Sequence, residues 1–164
     1  MAETEQEEFE VQIKEVPSLT AAAVEYTGPY EDIGKVLVDL FKWVLIHRGR
    51  VATYPMAVFP SAADRKPGEN NVFEVCIPLE VDSGVTGDKE VKIKGFDTLT
   101  VAAARHEGPH SKIGETYGKL LSWIEESGYG TVGPCREVYL TNPTQFAEDD
   151  LLTEVQVVVI DKRH

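Results

Sequence analysis

The sequence aligns with itself at an offset of 80 residues, and this internal repeat limits the fold more than any other feature. Positions 10–79 align with positions 90–159 without a gap, and 17 of these 70 positions are identical. Among the identities are a Gly-Pro pair and a following tryptophan: Gly28, Pro29 and Trp43 in the first half, and Gly108, Pro109 and Trp123 in the second. Because a fixed offset indicates repeated architecture, we predict two copies of one structural unit, at residues 9–80 and 89–160.

The same periodicities follow one another in each half. In the first half, the extended segments FEVQIKEV and SLTAAAVEY lead to the Gly-Pro pair, which is expected to stop a strand. The next segment, YEDIGKVLVDLFKWVLIHRG, has apolar residues at helical spacing, and HSKIGETYGKLLSWIEESGYG is its copy. Two more strands follow each helix. The sequence therefore predicts the α+β class, with two tandem β-α-β-β repeats in one antiparallel sheet, both helices on one face and a ligand groove on the other.

Composition and charge exclude several classes of function. The chain has 164 residues, the size of a single domain, and a formal net charge of −12. It has no cluster of Lys and Arg, so direct nucleic-acid binding is not expected, because such binding depends on cationic side chains. No apolar run is long enough for a membrane helix, and the acidic N-terminus does not resemble a secretory signal. We therefore expect a cytoplasmic protein with a flexible acidic tail at residues 1–8 and one domain at residues 9–160.

The cysteines and histidines do not form a metal-binding or catalytic pattern. Cys76 and Cys135 lie 59 positions apart without a CxxC motif. His106 and His110 are separated by a Gly-Pro pair, so they cannot share a helical face as a metal-binding pair would. The nucleophile elbow GxSxG is also absent. No metal site and no cofactor are predicted.

Alternation along the strands sorts side chains by face. In the last strand of each half, one set of apolar residues is predicted to pack under the helices: Phe73, Val75, Ile77 and Leu79, and Val155, Val157 and Val159. Glu74, Glu154 and Gln156 then point to the other face. In the preceding strand Glu137 and Tyr139 share a face, and Ala57 and Phe59 are their repeat mates. If the strands pair so that these faces agree, Glu137, Tyr139, Glu154 and Gln156 gather on one surface.

Glu154 stands out within this surface because it is the one carboxylate in the apolar run LLTEVQVVVI. A carboxylate in an apolar groove would have a raised pKa and could pair with a cation or move a proton. The alternative is a polar strand face that simply contacts water. Two further sets have both a packing and a ligand-binding interpretation: the helix aromatics Trp43, Trp123 and Tyr117, and the residues that flank the Gly-Pro turns, Tyr26, Tyr30, His106 and His110.

The segments HEGPHSKIGETYGKLLSWIEESGY, REVYLTNP and LLTEVQVVV, in this order, resemble the gyrase-inhibitor-like (GyrI-like) small-molecule-binding family. The same module forms the effector-binding part of several AraC-type and MerR-type transcription regulators. The resemblance covers about Phe9 to Ile160 and implies two SHS2-type modules, related by pseudo-twofold symmetry, with a ligand groove between them. It also implies that the glutamate of the last strand, here Glu154, faces that groove. The usual proline late in this strand is replaced by Val158.

Three functional hypotheses follow from the residues and the resemblance. The first is a stand-alone protein that captures a small hydrophobic or cationic organic molecule, with these predicted ligand-binding residues: Glu154, Glu137, Tyr139, Gln156, Phe59, Glu74, Tyr117 and Trp123. The second is a cofactor-independent hydrolase of cyclopropanoid compounds, in which Glu154 acts as general base and Tyr139, or alternatively Tyr117, donates a hydrogen bond. The third is inhibition of DNA gyrase through protein contact.

Overall fold

The computed structural model describes residues 9–60, 70–141 and 147–162. They form an eight-stranded antiparallel sheet and two helices, so the predicted α+β class is confirmed. The strands are β1 (Gln12–Val16), β2 (Leu19–Pro29), β3 (Met56–Phe59), β4 (Asn70–Leu79), β5 (Lys92–Phe96), β6 (Leu99–Glu107), β7 (Tyr129–Tyr139) and β8 (Leu152–Asp161). The helices are α1 (Ile33–Ile46) and α2 (Ile113–Glu126). The predicted flexible tail, residues 1–8, lies outside the described residues.

The strand order places corresponding strands of the two halves symmetrically about the centre of the sheet. The order is β1-β6-β8-β7-β3-β4-β2-β5, so β7 and β3 meet in the middle and β1 and β5 form the two ends. Each half contributes four strands rather than the three of the predicted β-α-β-β unit, since its first extended segment is a separate strand. That first strand pairs with the other half: β1 with β6, and β5 with β2. The two halves therefore share one sheet and exchange their first strands.

Both helices pack on one face of the sheet, which we call the helix face; the opposite side is the outer face. The buried helix residues recur every three or four positions: Ile33, Leu37, Leu40 and Val44 in α1, and Ile113, Tyr117, Leu120 and Ile124 in α2. They form one core with the strand residues predicted to lie under the helices, Phe73, Val75, Ile77, Leu79, Val155, Val157 and Val159. Burial of each such side chain contributes about 1.5–3 kcal/mol to folding. The alternation read from the sequence is confirmed for these residues.

Two strands extend beyond their predicted limits. β2 continues through the Gly-Pro pair because Gly28 and Pro29 still pair with the start of β4. β7 begins at Tyr129, seven residues before the predicted strand, and its pairing with β8 shifts between Thr131 and Cys135. Gly133 lies inside this bulge with a φ of +96°, a left-handed conformation that a glycine adopts without strain.

Within the described residues the structure contains no candidate membrane span and no candidate metal site. None of the helices there is long and apolar enough to cross a membrane. No group of three or more His, Cys, Asp or Glu side chains in the same ranges is arranged to hold a metal ion.

Candidate functional site

A carboxylate and three phenols meet on the helix face of the sheet. Glu137 of β7 pairs with Val155 of β8, a core residue under the helices, and therefore shares its face. One carboxylate oxygen of Glu137 accepts hydrogen bonds from Tyr30 at 2.6 Å and Tyr139 at 3.3 Å. The other oxygen accepts a hydrogen bond from Tyr117 at 2.7 Å. We call Glu137 and these three residues the tyrosine cluster.

Three elements of the fold supply the tyrosine cluster. Glu137 and Tyr139 lie two residues apart on β7, so the strand pleat places both on the same face. Tyr30 lies in the 3-10 turn that joins β2 to α1, and Tyr117 lies on the buried side of α2. β7 adjoins β3 at the centre of the sheet, where the two sequence halves meet. The cluster therefore combines side chains from both halves.

Further aromatic rings enclose the cluster. The ring of Phe59 lies 6.2 Å from that of Tyr30 and 5.2 Å from that of Phe73, measured between centroids. His110, in the 3-10 turn before α2, lies 5.4 Å from both Tyr30 and Tyr139. Glu137 and Phe59 have no exposed surface, whereas His110 is partly exposed. The carboxylate is thus enclosed by rings, and His110 brings the assembly to the protein surface.

Burial fixes the protonation state of two of the phenols. Burial raises the pKa of Tyr117 well above its usual value of 10, and the nearby charge of Glu137 raises it further. Burial also raises the pKa of Tyr139 well above that value, with added contributions from Tyr30 and Glu137. Both phenols therefore stay protonated at neutral pH and remain hydrogen-bond donors to the carboxylate.

The predicted surface that combines Glu137 and Tyr139 with Glu154 and Gln156 is wrong. The prediction assumed a register one residue away from the observed pairing of Glu137 with Val155. Because a shift of one residue reverses the face of every side chain, Glu154 and Gln156 lie on the outer face. Glu154 and Tyr139, the predicted general base and hydrogen-bond donor of a hydrolase, therefore cannot act together on one substrate.

The predicted raised pKa of Glu154 is also wrong. Burial by itself would raise the pKa of this carboxyl, but hydrogen bonds from Lys14 at 2.8 Å and Gln156 at 2.8 Å lower it below its usual value. Arg105 contributes in the same direction from 3.9 Å. Glu154 is therefore an ionised carboxylate whose charge is balanced by Lys14 and Arg105.

Grooves lie at both ends of the sheet and correspond to each other under the 80-residue offset. One groove, of about 1120 Å³, lies beside β5 and is lined by Trp43, Glu74 and Lys94, among others. The second, of about 700 Å³, lies beside β1 and is lined by Lys14 and Glu154, among others. No member of the tyrosine cluster lines either groove.

The eight predicted ligand-binding residues thus separate into three places. Four of them meet on the helix face: Glu137, Tyr139, Tyr117 and Phe59. Three lie on the outer face: Glu154, Gln156 and Glu74. The eighth, Trp123, packs against the core, and its ring stacks on Tyr129 at 6.4 Å.

Sequence reasoning left Tyr30 and His110 between two interpretations and did not assign Phe73 to a site. Tyr30 and His110 occupy the same position after the two Gly-Pro pairs, and the structure brings their rings together. Their equivalent positions in the repeat were the feature of the sequence that could have indicated a shared site. Phe73 carried no signal beyond its alternation, which predicts the core equally well.

Comparisons with known proteins agree with this architecture. The GyrI-like small molecule binding domain family matches residues 9–160. The C-terminal domain of EcmrR has a TM-score of 0.82 at 17% identity, with 94% of this chain and 99% of that chain covered. A hydrolase from Listeria innocua has a TM-score of 0.65 at 14% identity, with 97% of each chain covered. SAV2435, solved bound to tetraphenylphosphonium, has a TM-score of 0.59 at 14% identity, with 92% and 94% covered.

At these identities the structural neighbours establish the fold alone. No curated protein sequence matches the chain. The family match, however, spans nearly the whole chain and agrees with the eight-stranded sheet and its two helices. This protein therefore belongs to the family of GyrI-like small molecule binding domains.

Proposed function

We propose that this protein binds an organic cation at the tyrosine cluster, with Glu137 as the opposite charge. The observation that carries the proposal is the convergence of three phenols on one enclosed carboxylate, at 2.6, 2.7 and 3.3 Å. This arrangement differs from the predicted site at Glu154, whose charge is already paired with Lys14.

The chemistry of the cluster favours a cation with apolar substituents. A carboxylate attracts positive charge, and the faces of the surrounding Tyr and Phe rings attract it as well. The same rings offer apolar surface to the substituents of the ligand. The formal net charge of −12 adds a long-range attraction for cations. The carboxylate, the ring faces and the net charge of the protein would all repel an anionic ligand from this cluster.

Access to Glu137 requires rings to move, because the carboxylate has no exposed surface. Tyr30 of the cluster and the neighbouring His110 are carried by short 3-10 turns rather than by a strand or a long helix, and His110 is partly exposed. Their rings meet at 5.4 Å in an edge-to-face contact. We place the access route at this contact. The rings of Tyr30 and His110 separate, and the ligand then packs against the ring surfaces that contact each other in the free protein.

The relatives supply a starting probe. SAV2435 was solved bound to tetraphenylphosphonium, a bulky organic cation, and shares the fold of this chain. Tetraphenylphosphonium is therefore a reasonable first ligand, with triphenylphosphine oxide as a neutral compound that retains three of the phenyl groups. A cation site should bind the first and not the second.

The test compares the same substitution at two glutamates. Glu137→Gln removes the charge within the tyrosine cluster, and Glu154→Gln removes a charge on the outer face. Titration calorimetry with tetraphenylphosphonium should show at least about a tenfold weaker Kd for Glu137→Gln, equivalent to ~1.4 kcal/mol. Glu154→Gln should bind like the wild type. Equal binding by Glu137→Gln, or a comparable loss in Glu154→Gln, would contradict the proposal.

Two further measurements show whether a variant is still folded and whether the ligand is chemically unchanged. Near-UV circular dichroism of each variant checks that the aromatic core is intact, and Tyr117→Phe provides a second, smaller perturbation of the same cluster. Mass spectrometry of the recovered ligand should show the starting compound. If a cyclopropanoid compound incubated with the protein gained one water, and Glu137→Gln lost this activity, the cluster would be a hydrolase site instead.

A further inference from the structure

The outer face of the sheet carries a buried cation without a neutralising carboxylate among the described residues. Arg136 precedes Glu137 on β7, so its side chain points to the opposite face, where it is only 3% exposed. Its Nε atom has no hydrogen-bond partner. The ring of Phe96 lies 5.3 Å from the guanidinium carbon. A ring face offers weak attraction but no net negative charge, so the guanidinium remains uncompensated.

The strand register places two acidic groups of this face, Glu74 and Glu154, in or beside the row of Arg136, and both pair with lysines. Glu74 accepts a hydrogen bond from Lys94 at 2.7 Å, and Glu154 accepts one from Lys14 at 2.8 Å. Cys76 also lies near Arg136, but burial raises the pKa of this thiol to about 12, so it is neutral. The described residues therefore leave the positive charge of Arg136 for another group to balance.

An unpaired acceptor lies next to this unpaired donor. Gln156 of β8 pairs directly with Arg136 and is 7% exposed. Its Nε2 atom donates to Glu154 at 2.8 Å, which fixes the orientation of the amide, and its Oε1 atom has no partner. Side chains of directly paired residues lie roughly 5 Å apart at Cβ. A donor and an acceptor, both buried and both unsatisfied, thus lie side by side on neighbouring strands.

Buried polar atoms are nearly always hydrogen-bonded in folded proteins, so this donor and this acceptor each call for a group that satisfies them. We propose that Arg136 and Gln156 form a binding site for a small 2-hydroxy carboxylate on the outer face. The ligand carboxylate accepts from Nε of Arg136 and supplies the negative charge, and its hydroxyl donates to Oε1 of Gln156. This site lies on the opposite face of β7 from the tyrosine cluster and is independent of it.

The simplest competing occupant is one water molecule. A water could accept from Arg136 and donate to Gln156, which would satisfy both atoms but leave the charge unbalanced. The two occupants differ in a measurable way, because a carboxylate binds saturably and a bridging water is present at any solute concentration.

The experiment is an NMR titration of the 164-residue protein that follows the Nε–Hε resonance of Arg136. Glycolate is the probe, and acetate is its matched control because it has the carboxylate without the hydroxyl. Glycolate should shift the resonance saturably, with a Kd about tenfold lower than that of acetate, as expected for one added hydrogen bond. A flat titration with glycolate would leave only the bridging water and overturn the proposal. Equal Kd values for the two acids would overturn the role of Gln156.

Variants locate the binding on the outer face. Gln156→Met keeps the length of the side chain and should equalise the Kd values of glycolate and acetate. Arg136→Met should abolish the saturable shifts in the backbone resonances of β7 and β8, and Arg136→Lys provides a charged replacement if the methionine variant does not fold. Arg50→Met is the control, since Arg50 is exposed and paired with Glu80 and Asp82. Unchanged glycolate binding in the folded Arg136 variant would contradict the proposal.

Discussion

Lys14 lies 2.8 Å from Glu154, although these residues belong to different halves of the sequence. Under the 80-residue offset, Lys14 corresponds to Lys94 and Glu154 corresponds to Glu74. These two residues also form an ion pair, at 2.7 Å. Each ion pair joins the first strand of one half to the last strand of the other half. The ion pairs therefore reinforce the exchange of β1 and β5 that the strand order shows.

The stability contributed by Glu154 should depend on pH in a defined direction. The pKa of this carboxyl is lowered in the folded protein, so its contribution is complete above the usual value of 4.5 and is lost as the pH falls through the lowered value. Glu154→Gln should reduce the free energy of unfolding by about 1 kcal/mol at pH 7, a modest value because Lys14 is partly exposed to solvent. Urea unfolding at pH 7 and pH 3 measures this difference, which should shrink at pH 3. An equal difference at pH 7 and pH 3 would contradict a lowered pKa of Glu154 in the folded protein.

The two related ion pairs should have similar coupling energies. Their lysines have similar exposure, 37% for Lys14 and 39% for Lys94, while the carboxylates differ, at 11% for Glu154 and 24% for Glu74. Double-mutant cycles with Lys→Met and Glu→Gln substitutions should give about 0.5–1 kcal/mol for each pair, with the more buried Glu154 pair at the upper end. A coupling energy near zero for either pair would show that the contact does not stabilise the exchanged strand.

Much of this fold could be predicted from the sequence because burial has a period. Most apolar residues of α1 and β4 recur with helical and strand spacing and lie in the core where the pattern places them, whereas Leu45, Ile46 and Val72 are exposed. The exchange of β1 and β5 could not be predicted in this way. A repeat identifies equivalent segments, but either copy of a segment can pair with the same neighbour, so the sequence does not distinguish exchanged strands from unexchanged ones.

The candidate site shows the same limit at the level of one residue. The alternation of β7 correctly places Glu137 and Tyr139 on a common face, and that of β8 places Glu154 and Gln156 on a common face. The relation between the two faces depends on the register, and the bulge between Thr131 and Cys135 shows that the pairing of β7 with β8 is irregular. A register error of one residue joined the wrong pairs and hid the tyrosine cluster.

The thiol of Cys76 should be unreactive in the folded protein. Cys76 has no exposed surface, and burial raises its pKa to about 12, so the reactive thiolate is scarce at pH 8. The rate of labelling by a disulfide reagent at pH 8 should therefore follow the fraction of unfolded protein and increase steeply with urea. Fast labelling of Cys76 in the absence of urea, identified by peptide mapping, would show that the outer face opens locally.

The enclosed phenols should titrate late and should make the fold sensitive to alkali. The pKa values of Tyr117 and Tyr139 are raised well above 10, so the stability linked to these phenols is complete below pH 10 and is lost as the pH rises beyond it. Absorbance at 295 nm should show fewer ionised tyrosines at pH 11 in the folded protein than in urea, out of six in the chain. Tyr117→Phe should leave the early part of this titration unchanged, because Tyr117 is enclosed and its pKa is raised well above 10. At pH 7, Tyr117→Phe should lower the free energy of unfolding by about 1.5–3 kcal/mol, because it removes a buried hydrogen bond to a carboxylate. Its loss of stability above pH 10 should be less steep than in the wild type, and an equal slope for both proteins would show that Tyr117 ionises without disturbing the cluster.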